Sequence, residues 1–311
     1  MEGVRVWQGE DSKKHKGLLV ARVNDFDVID CVLCGFKHVT PIPTPEDLFK
    51  VYSHEYYMVD KPLYSERYLE DKEWWDSVYS SRYDIFEKYL SVERRKILDV
   101  GSGPGFFLLN GKDRGWEVKG VEPSSKAASY SCVDLGLDVY EGFLEKNNAE
   151  DFGKFDAINM SLVLEHLPDP SAMLKVANGM LNDDGIICVV VPNDFNPFQL
   201  VARDQLGLKP WWIAPPHHIN YFDYESLACL FNKTGFEVVH KEATFPIDMF
   251  VLMGENYIGE DDIGRRCHGY RKEFEKNLIL GGGEALKSEL YEKLSDMGIG
   301  REVVLFGRKV N

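Results

Sequence analysis

The sequence predicts an α/β fold, a mostly parallel sheet with helices on both faces, and three observations carry that reading. The apolar run Ile97-Leu98-Asp99-Val100 ends in Gly101-Ser102-Gly103-Pro104-Gly105 and resumes as a helix from Phe106, as a buried strand does when it feeds a turn and a helix N-terminus. Between 95 and 245, short apolar runs alternate with segments of helical period. Ile186 to Val191 is an unbroken apolar, β-rich run, as expected of a strand covered on both faces. At 311 residues, 44% hydrophobic and 28% charged, the chain is long enough for one large core and a small accessory unit.

Residues 1 to 16 are polar and show no clear pattern before His15. Residues 18 to 31 read as two short strands around Asn24-Asp25, followed by Cys31-Val32-Leu33-Cys34-Gly35 and a third apolar-polar stretch containing His38. A C-x-x-C-G turn lets two thiolates wrap a zinc ion, with Gly35 in a conformation that a Cβ would oppose. His38 and His15 are the nearest further ligands, so His15, Cys31, Cys34 and His38 form the candidate metal set. An ion held by four protein ligands is structural, having no open position for chemistry. The alternative is a free dithiol beside a solvated His15. Segment 1–45 is therefore read as a β/zinc-knuckle unit. Pro41 to Pro45 is a stiff spacer, and 46–94 is a helical lead-in and candidate cap, with a short helix Asp47 to Tyr52. Trp75, Tyr79, Tyr83, Phe86 and Tyr89 are spaced as the apolar face of a helix packed ahead of the first core strand.

In the core, Trp116 to Val121 is a second strand closing on Glu122, 23 residues after Asp99. An acid there accepts hydrogen bonds from ribose hydroxyls in nucleoside-binding α/β folds. The turn is not a dinucleotide fingerprint: G-x-G-x-x-G wants a glycine where Phe106 stands, and Pro104 removes a backbone donor that a pyrophosphate would use. Ser124 caps a helix over 125–135 that Gly136 ends, and Leu137 to Tyr140 lead into Gly142-Phe143-Leu144-Glu145. Phe155 to Met160 is the fourth strand, Ser171 to Leu181 a helix, and Asp183-Asp184-Gly185 a turn before the fifth strand. Residues 192 to 222 read as a long loop with prolines, Trp211, Trp212, His217, His218 and Tyr221, the kind of segment that serves as a lid or binding loop. Asp223 caps a helix reaching Lys233, and Phe236 to His240 is the sixth strand. Residues 246–300 form a helical insertion around Gly281-Gly282-Gly283, a candidate substrate cap or homodimer surface, before a last strand over 302–307.

Leu98-Asp99-Val100-Gly101-Ser102-Gly103-Pro104-Gly105, Glu122, and Leu164-Glu165-His166-Leu167-Pro168-Asp169-Pro170 together resemble the class I S-adenosylmethionine-dependent methyltransferases. The resemblance is strong over 95–245 and returns over 301–309, helped by His218 with Phe222, Glu225-Ser226-Leu227 and Gly235-Phe236-Glu237-Val238. It implies a Rossmann-like seven-stranded sheet whose last strand lies antiparallel beside strand six, and a methyltransferase core of 95–245 plus 301–311. It implies cofactor contacts from Asp99, Gly101, Ser102, Gly103, Gly105, Glu122, Pro123, Phe143, Leu144 and Ser161, with Glu145 a candidate for the exocyclic amine of the adenine. Because the family commonly covers its site with the segment before strand one, Tyr57, Tyr64 and Tyr68 become candidate pocket residues. The knuckle and proline linker also look like those of zinc-containing methyltransferases of sugar or natural-product pathways. That points to a small-molecule, sugar-like acceptor methylated on oxygen or carbon.

Methyl transfer from a sulfonium is an in-line displacement governed by alignment, and a hydroxyl or carbon-acid acceptor must also lose a proton. His217 is the favoured base, with Tyr221 as its orienting or acidic partner, and the alternative makes both histidines of that loop surface or capping residues. His166 either faces the methyl group or is hydrogen-bonded within its turn. Two other function classes remain open: an NAD-dependent oxidoreductase and a non-catalytic S-adenosylmethionine-binding module. The net charge of −15 disfavours a nucleic-acid partner, no apolar run approaches membrane-spanning length, and six scattered cysteines suit reduced thiols in the cytoplasm.

Overall fold

The computed structural model describes residues 3–9, 13–44 and 69–310; the expected helix Asp47 to Tyr52 and the candidates Tyr57, Tyr64 and Tyr68 lie outside the described residues. The chain forms two compact units, one of residues 1–42, 190–230 and 240–305, the other of 43–189, 231–239 and 306–311.

The N-terminal segment is an antiparallel sheet of β1 (Val4–Gln8), β2 (Lys14–Val23), β3 (Phe26–Cys31) and β4 (Lys37–Thr40). Val23 pairs with Phe26 across Asn24-Asp25, and Asn24 takes φ 52, the left-handed backbone that a two-residue hairpin turn requires. Strand β1 was not expected; its positions alternate between exposed and half-buried, with Val4 and Val6 facing outward, so it has no buried apolar face for the sequence to announce.

In the second unit, α1 (Lys72–Tyr89) precedes β5 (Lys96–Val100), and α2 (Phe106–Asp113), β6 (Glu117–Glu122), α3 (Ser125–Val133), β7 (Val139–Glu141), α4 (Ala149–Phe152) and β8 (Phe155–Ser161) follow. Strands β5–β6, β5–β8 and β6–β7 pair in parallel, as buried βα alternation demands. Helix α1 docks by the face that its aromatic spacing predicts. Tyr83 stacks on Phe107 at 4.6 Å between ring centroids and donates its hydroxyl to the Phe107 carbonyl at 3.2 Å. Tyr83 and Phe86 are fully buried, and burial of a side chain of that size contributes about 1.5–3 kcal/mol. The Ser124 hydroxyl accepts from the Ala127 N–H, the expected cap of α3.

Helix α5 (Pro170–Met180) passes directly into β9 (Leu181–Pro192). The expected turn at Asp183-Asp184-Gly185 is only a bend within that strand, with Asp184 at φ 57. The stretch 192–222 is likewise more ordered than a loop. It contains α6 (Pro197–Leu206), capped by Asn196, and β10 (Asn220–Tyr221), which joins the first sheet beside β4. Then come α7 (Tyr224–Lys233), β11 (Phe236–Ala243), α8 (Asp248–Leu252), α9 (Asp261–Leu280), α10 (Glu284–Asp296) and β12 (Glu302–Lys309). The insertion is helical as read, and Phe245, Phe250, Cys267 and Tyr291 form its buried cluster. The main sheet is seven-stranded and mostly parallel, in the order β11-β12-β9-β8-β5-β6-β7, a Rossmann-like arrangement.

Candidate functional site

The turn after β5 is shaped by positive-φ glycines at 101, 103 and 105. At Gly101 (φ +73) a Cβ would stand 2.7 Å from Val163 Cγ2, so both conformation and space call for glycine. Its N–H donates to the Val121 carbonyl at 2.8 Å, tying the turn to the end of β6. Gly105 takes φ 83 and is the residue from which α2 departs.

Glu122 ends β6 and is almost wholly buried, at 3% exposure. One carboxylate oxygen accepts from the Gly103 N–H at 2.8 Å and the other from the Ser124 N–H at 2.8 Å. Each oxygen thereby keeps a second lone pair for a ligand. Burial pushes the carboxyl up to about 7 against the pull of the Ser124 and Gly103 donors. Asp99, on β5, accepts from Asn159 Nδ2 at 2.7 Å; burial raises it to about 7, opposed by that hydrogen bond and by the Arg82 guanidinium.

These groups line a cavity of about 460 Å³. Of the cofactor residues read from the sequence, Asp99, Gly101, Ser102, Gly103, Glu122, Pro123, Phe143, Leu144 and Ser161 form its wall, as do Glu145 and His166; Gly105 shapes the turn from outside the wall. His166 is half-buried, with Nε2 3.7 Å from a Glu165 carboxylate oxygen. Sequence reading missed Trp75, Tyr79, Arg82 and Asn159, which also line it. The signal for Arg82 was present: Tyr79, Arg82, Tyr83 and Phe86 stand at i, i+3, i+4 and i+7, so the cation shares the buried stripe of α1. Arg82 is 5% exposed and donates to Ser161 Oγ at 3.3 Å.

The wall suits an adenosine carrying an amino-acid tail. Ser102 Oγ and Asn159 Oδ1 are buried with no hydrogen-bond partner among the described residues, a cost that a polar ligand removes. Pro123, Phe143 and Leu144 offer an apolar slot, Glu122 a diol acceptor, and Arg82 a buried cation. A pyrophosphate would meet three carboxylates, Asp99, Glu122 and Glu145, against one guanidinium.

His217 and Tyr221 belong to the other unit. His217 is half-buried, whereas Tyr221 is 1% exposed and donates its hydroxyl to the His218 carbonyl at 2.8 Å. In the same unit the four candidate metal ligands converge. His15 Nδ1 lies 3.1 Å from His38 Nε2, 3.4 Å from Cys34 Sγ and 3.7 Å from Cys31 Sγ, and all four ligand atoms fall within 4.8 Å of one another. Cys34 beside it, with His38, holds the Cys31 thiol down to about 2 against the effect of burial.

A family model described as a methyltransferase domain matches residues 73–241. A ubiquinone biosynthesis O-methyltransferase of Chromobacterium violaceum is 29% identical over 126 residues, covering 36% of this chain and 54% of that protein. Its counterpart in Actinobacillus pleuropneumoniae is 29% identical over 165 residues, covering 47% and 70%. The chain thus spans about half to two thirds of the length of these relatives. A crystal structure of an S-adenosylmethionine-dependent methyltransferase from Archaeoglobus fulgidus superposes with a TM-score of 0.49 at 18% identity, covering 78% of this chain and 99% of that one.

Proposed function

Because the chain belongs to the methyltransferase-domain family, we propose that it moves a methyl group from S-adenosylmethionine to an oxygen or carbon of a small molecule. The observation that carries this is the Glu122 carboxylate, buried at the end of β6 and braced by Gly103 and Ser124 N–H groups at the wall of a cavity over the glycine turn. Its two remaining lone pairs suit a ribose diol. Phe143 and Leu144 flank the adenine, Glu145 takes the exocyclic amine, and Arg82 takes the carboxylate of the methionine tail. The bound donor supplies a methyl already activated on a sulfonium. The chain's own groups then have three tasks: to align the acceptor, to exclude water, and to remove a proton.

Named relatives that act on oxygen favour a hydroxyl acceptor, while a sugar-like one rests on the N-terminal segment alone. His166 is the candidate base within the cavity wall; His217 is the other candidate, and the committed hydroxyl of Tyr221 makes that residue a brace for its own turn. Replacing each histidine by asparagine separates them: the base loses about 10²-fold or more in kcat while affinity for S-adenosylhomocysteine holds. Cytoplasmic residence and a structural zinc in the other unit complete the reading, and that zinc takes no part in the transfer.

Calorimetric titration with S-adenosylhomocysteine and with NAD tests the proposal. One site for S-adenosylhomocysteine, weakened by about 1–3 kcal/mol in Glu122→Ala, is expected. Binding of NAD with none of S-adenosylhomocysteine would overturn it in favour of an oxidoreductase. Donor binding without methyl transfer across a broad panel of hydroxyl and carbon-acid acceptors would favour a binding module.

A further inference from the structure

Four ligand atoms from three segments of chain meet where β2, β3 and β4 come together. His15 lies on β2, Cys31 ends β3, Cys34 closes the turn after it, and His38 lies on β4. His15, Cys31 and His38 are buried and Cys34 is half-buried. Gly35 at φ 81 lets the chain reverse, its N–H donating to the Cys31 carbonyl at 2.8 Å. A tetrahedral ion with bonds of about 2.0–2.1 Å to nitrogen and about 2.3 Å to sulfur sets ligand separations of about 3.3 Å between nitrogens and about 3.6 Å between nitrogen and sulfur. The observed separations are 3.1 Å between the histidine nitrogens and 3.4 and 3.7 Å from His15 to the two sulfurs.

The hydrogen bonding of His38 agrees with this. Its Nδ1 donates to the Val39 carbonyl at 2.8 Å, which fixes the tautomer that turns the bare Nε2 lone pair toward the cluster. That lone pair faces His15 Nδ1, a nitrogen that in a metal site also presents a lone pair. Two imidazole nitrogens and two thiols converging on one point form the S₂N₂ set that zinc takes in closed sites.

We propose that His15, Cys31, Cys34 and His38 hold one zinc ion, and that the ion is the strut that fixes β4 as the template for β10. The seam is direct. Asn220 pairs with His38 and Tyr221 with Lys37, and the Val39 N–H donates to the Ile219 carbonyl at 2.9 Å. Strand β10 is two residues long, too short to hold its place by its own ladder. It closes the 193–222 segment that carries His217 and Tyr221, so a ligand of β4 sets the anchor of that segment. The inference deepens the zinc part of the proposed reading and is independent of the methyl-transfer part.

The test uses the full chain. Purified without chelator, it should carry about one zinc per chain by elemental analysis. Cobalt(II) exchanged into the site should give the visible d–d and thiolate charge-transfer bands of a tetrahedral thiolate complex. Cys34→Ser should lose most of the metal, and Cys34→His, which keeps four ligands, should retain it. Removing zinc with a chelator should speed amide exchange across 37–40 and 219–222 about tenfold or more, leaving α2 unchanged. A metal-free chain that takes up no cobalt would overturn the site, and equal exchange at both segments with and without zinc would overturn the strut. Titration of the same samples with S-adenosylhomocysteine keeps the two readings apart: donor binding without zinc defeats only this inference, and zinc without donor binding defeats only the methyl-transfer reading.

Discussion

Burial pushes the Glu122 carboxyl from the usual glutamate range up to about 7, because it disfavours the charge more than the Ser124 and Gly103 backbone donors restore it. Between about pH 4.5 and 7 the native chain holds a proton there that the unfolded chain has lost. Stability therefore falls as pH rises through that window, by up to about 1.4 kcal/mol per pH unit. The ionised form, the one proposed to accept a ribose diol, becomes populated at the top of the same window. Melting temperatures of the ligand-free protein should thus decline more steeply from about pH 5 to 7 in the wild type than in Glu122→Gln, while wild-type affinity for S-adenosylhomocysteine rises. Asp99 contributes a slope of the same sign in both proteins, so parallel slopes would show that Glu122 does not titrate there. Arg82 is a sharper case, because its proposed partner is one part of the ligand. Arg82→Met should weaken S-adenosylhomocysteine binding about ten- to a hundredfold, the scale of a charge-assisted hydrogen bond. It should leave methylthioadenosine, which lacks the amino-acid tail, nearly unaffected; equal losses for both ligands would remove the carboxylate role.

Elements whose signal is local were legible in the sequence. The β5-turn-α2-β6 unit announces itself by an apolar run, three glycines and a terminal acid within thirty residues, and these positions frame the cavity. Helix α6 was not legible because three prolines and two tryptophans downstream gave the whole of 192–222 the look of a loop. Its start signal was nonetheless present. Asn196 precedes Pro197, and the Asn196 side chain accepts from the Phe198 N–H at 2.9 Å and the Gln199 N–H at 3.1 Å. That amide also donates to Asp248 at 3.0 Å, joining α6 to the start of α8. Asn196→Ala should therefore cost more than an isolated cap, about 1–3 kcal/mol, measured by urea unfolding. Asn196→Asp keeps the acceptor for the cap but sets a second carboxylate against Asp248, so it should recover only part of the loss. Full recovery would mean that the bond to Asp248 contributes nothing. Strand β10 was beyond sequence reading for a different reason: two residues carry no period, and their pairing with β4 depends on chain some 180 residues away.

At the scale of the whole molecule, the two units recruit the chain out of order, residues 1–42 sharing one with 190–230 and 240–305, so no linear cut through the sequence reproduces them. Charge, by contrast, is a property of composition and needs no fold. The chain has 51 acidic and 36 basic side chains, a net charge of −15. Non-specific nucleic-acid binding comes from lysines and arginines that displace condensed counterions, and a protein this acidic repels the same backbone at long range. The cavity beside the glycine turn repeats the sign locally, with Asp99, Glu122 and Glu145 against Arg82. The proposed acceptor is therefore expected to be a small molecule without a polyphosphate, and neither duplex DNA nor structured RNA should bind the protein. Fluorescence anisotropy with labelled 20-mers at about 50 mM salt, where electrostatic binding is strongest, should show no saturation below about 10⁻⁴ M, the weak end of the non-specific range. A micromolar isotherm whose logarithm falls linearly with log salt would reveal a basic face that the total conceals. It would then shift the search for acceptors from small molecules to nucleic acid.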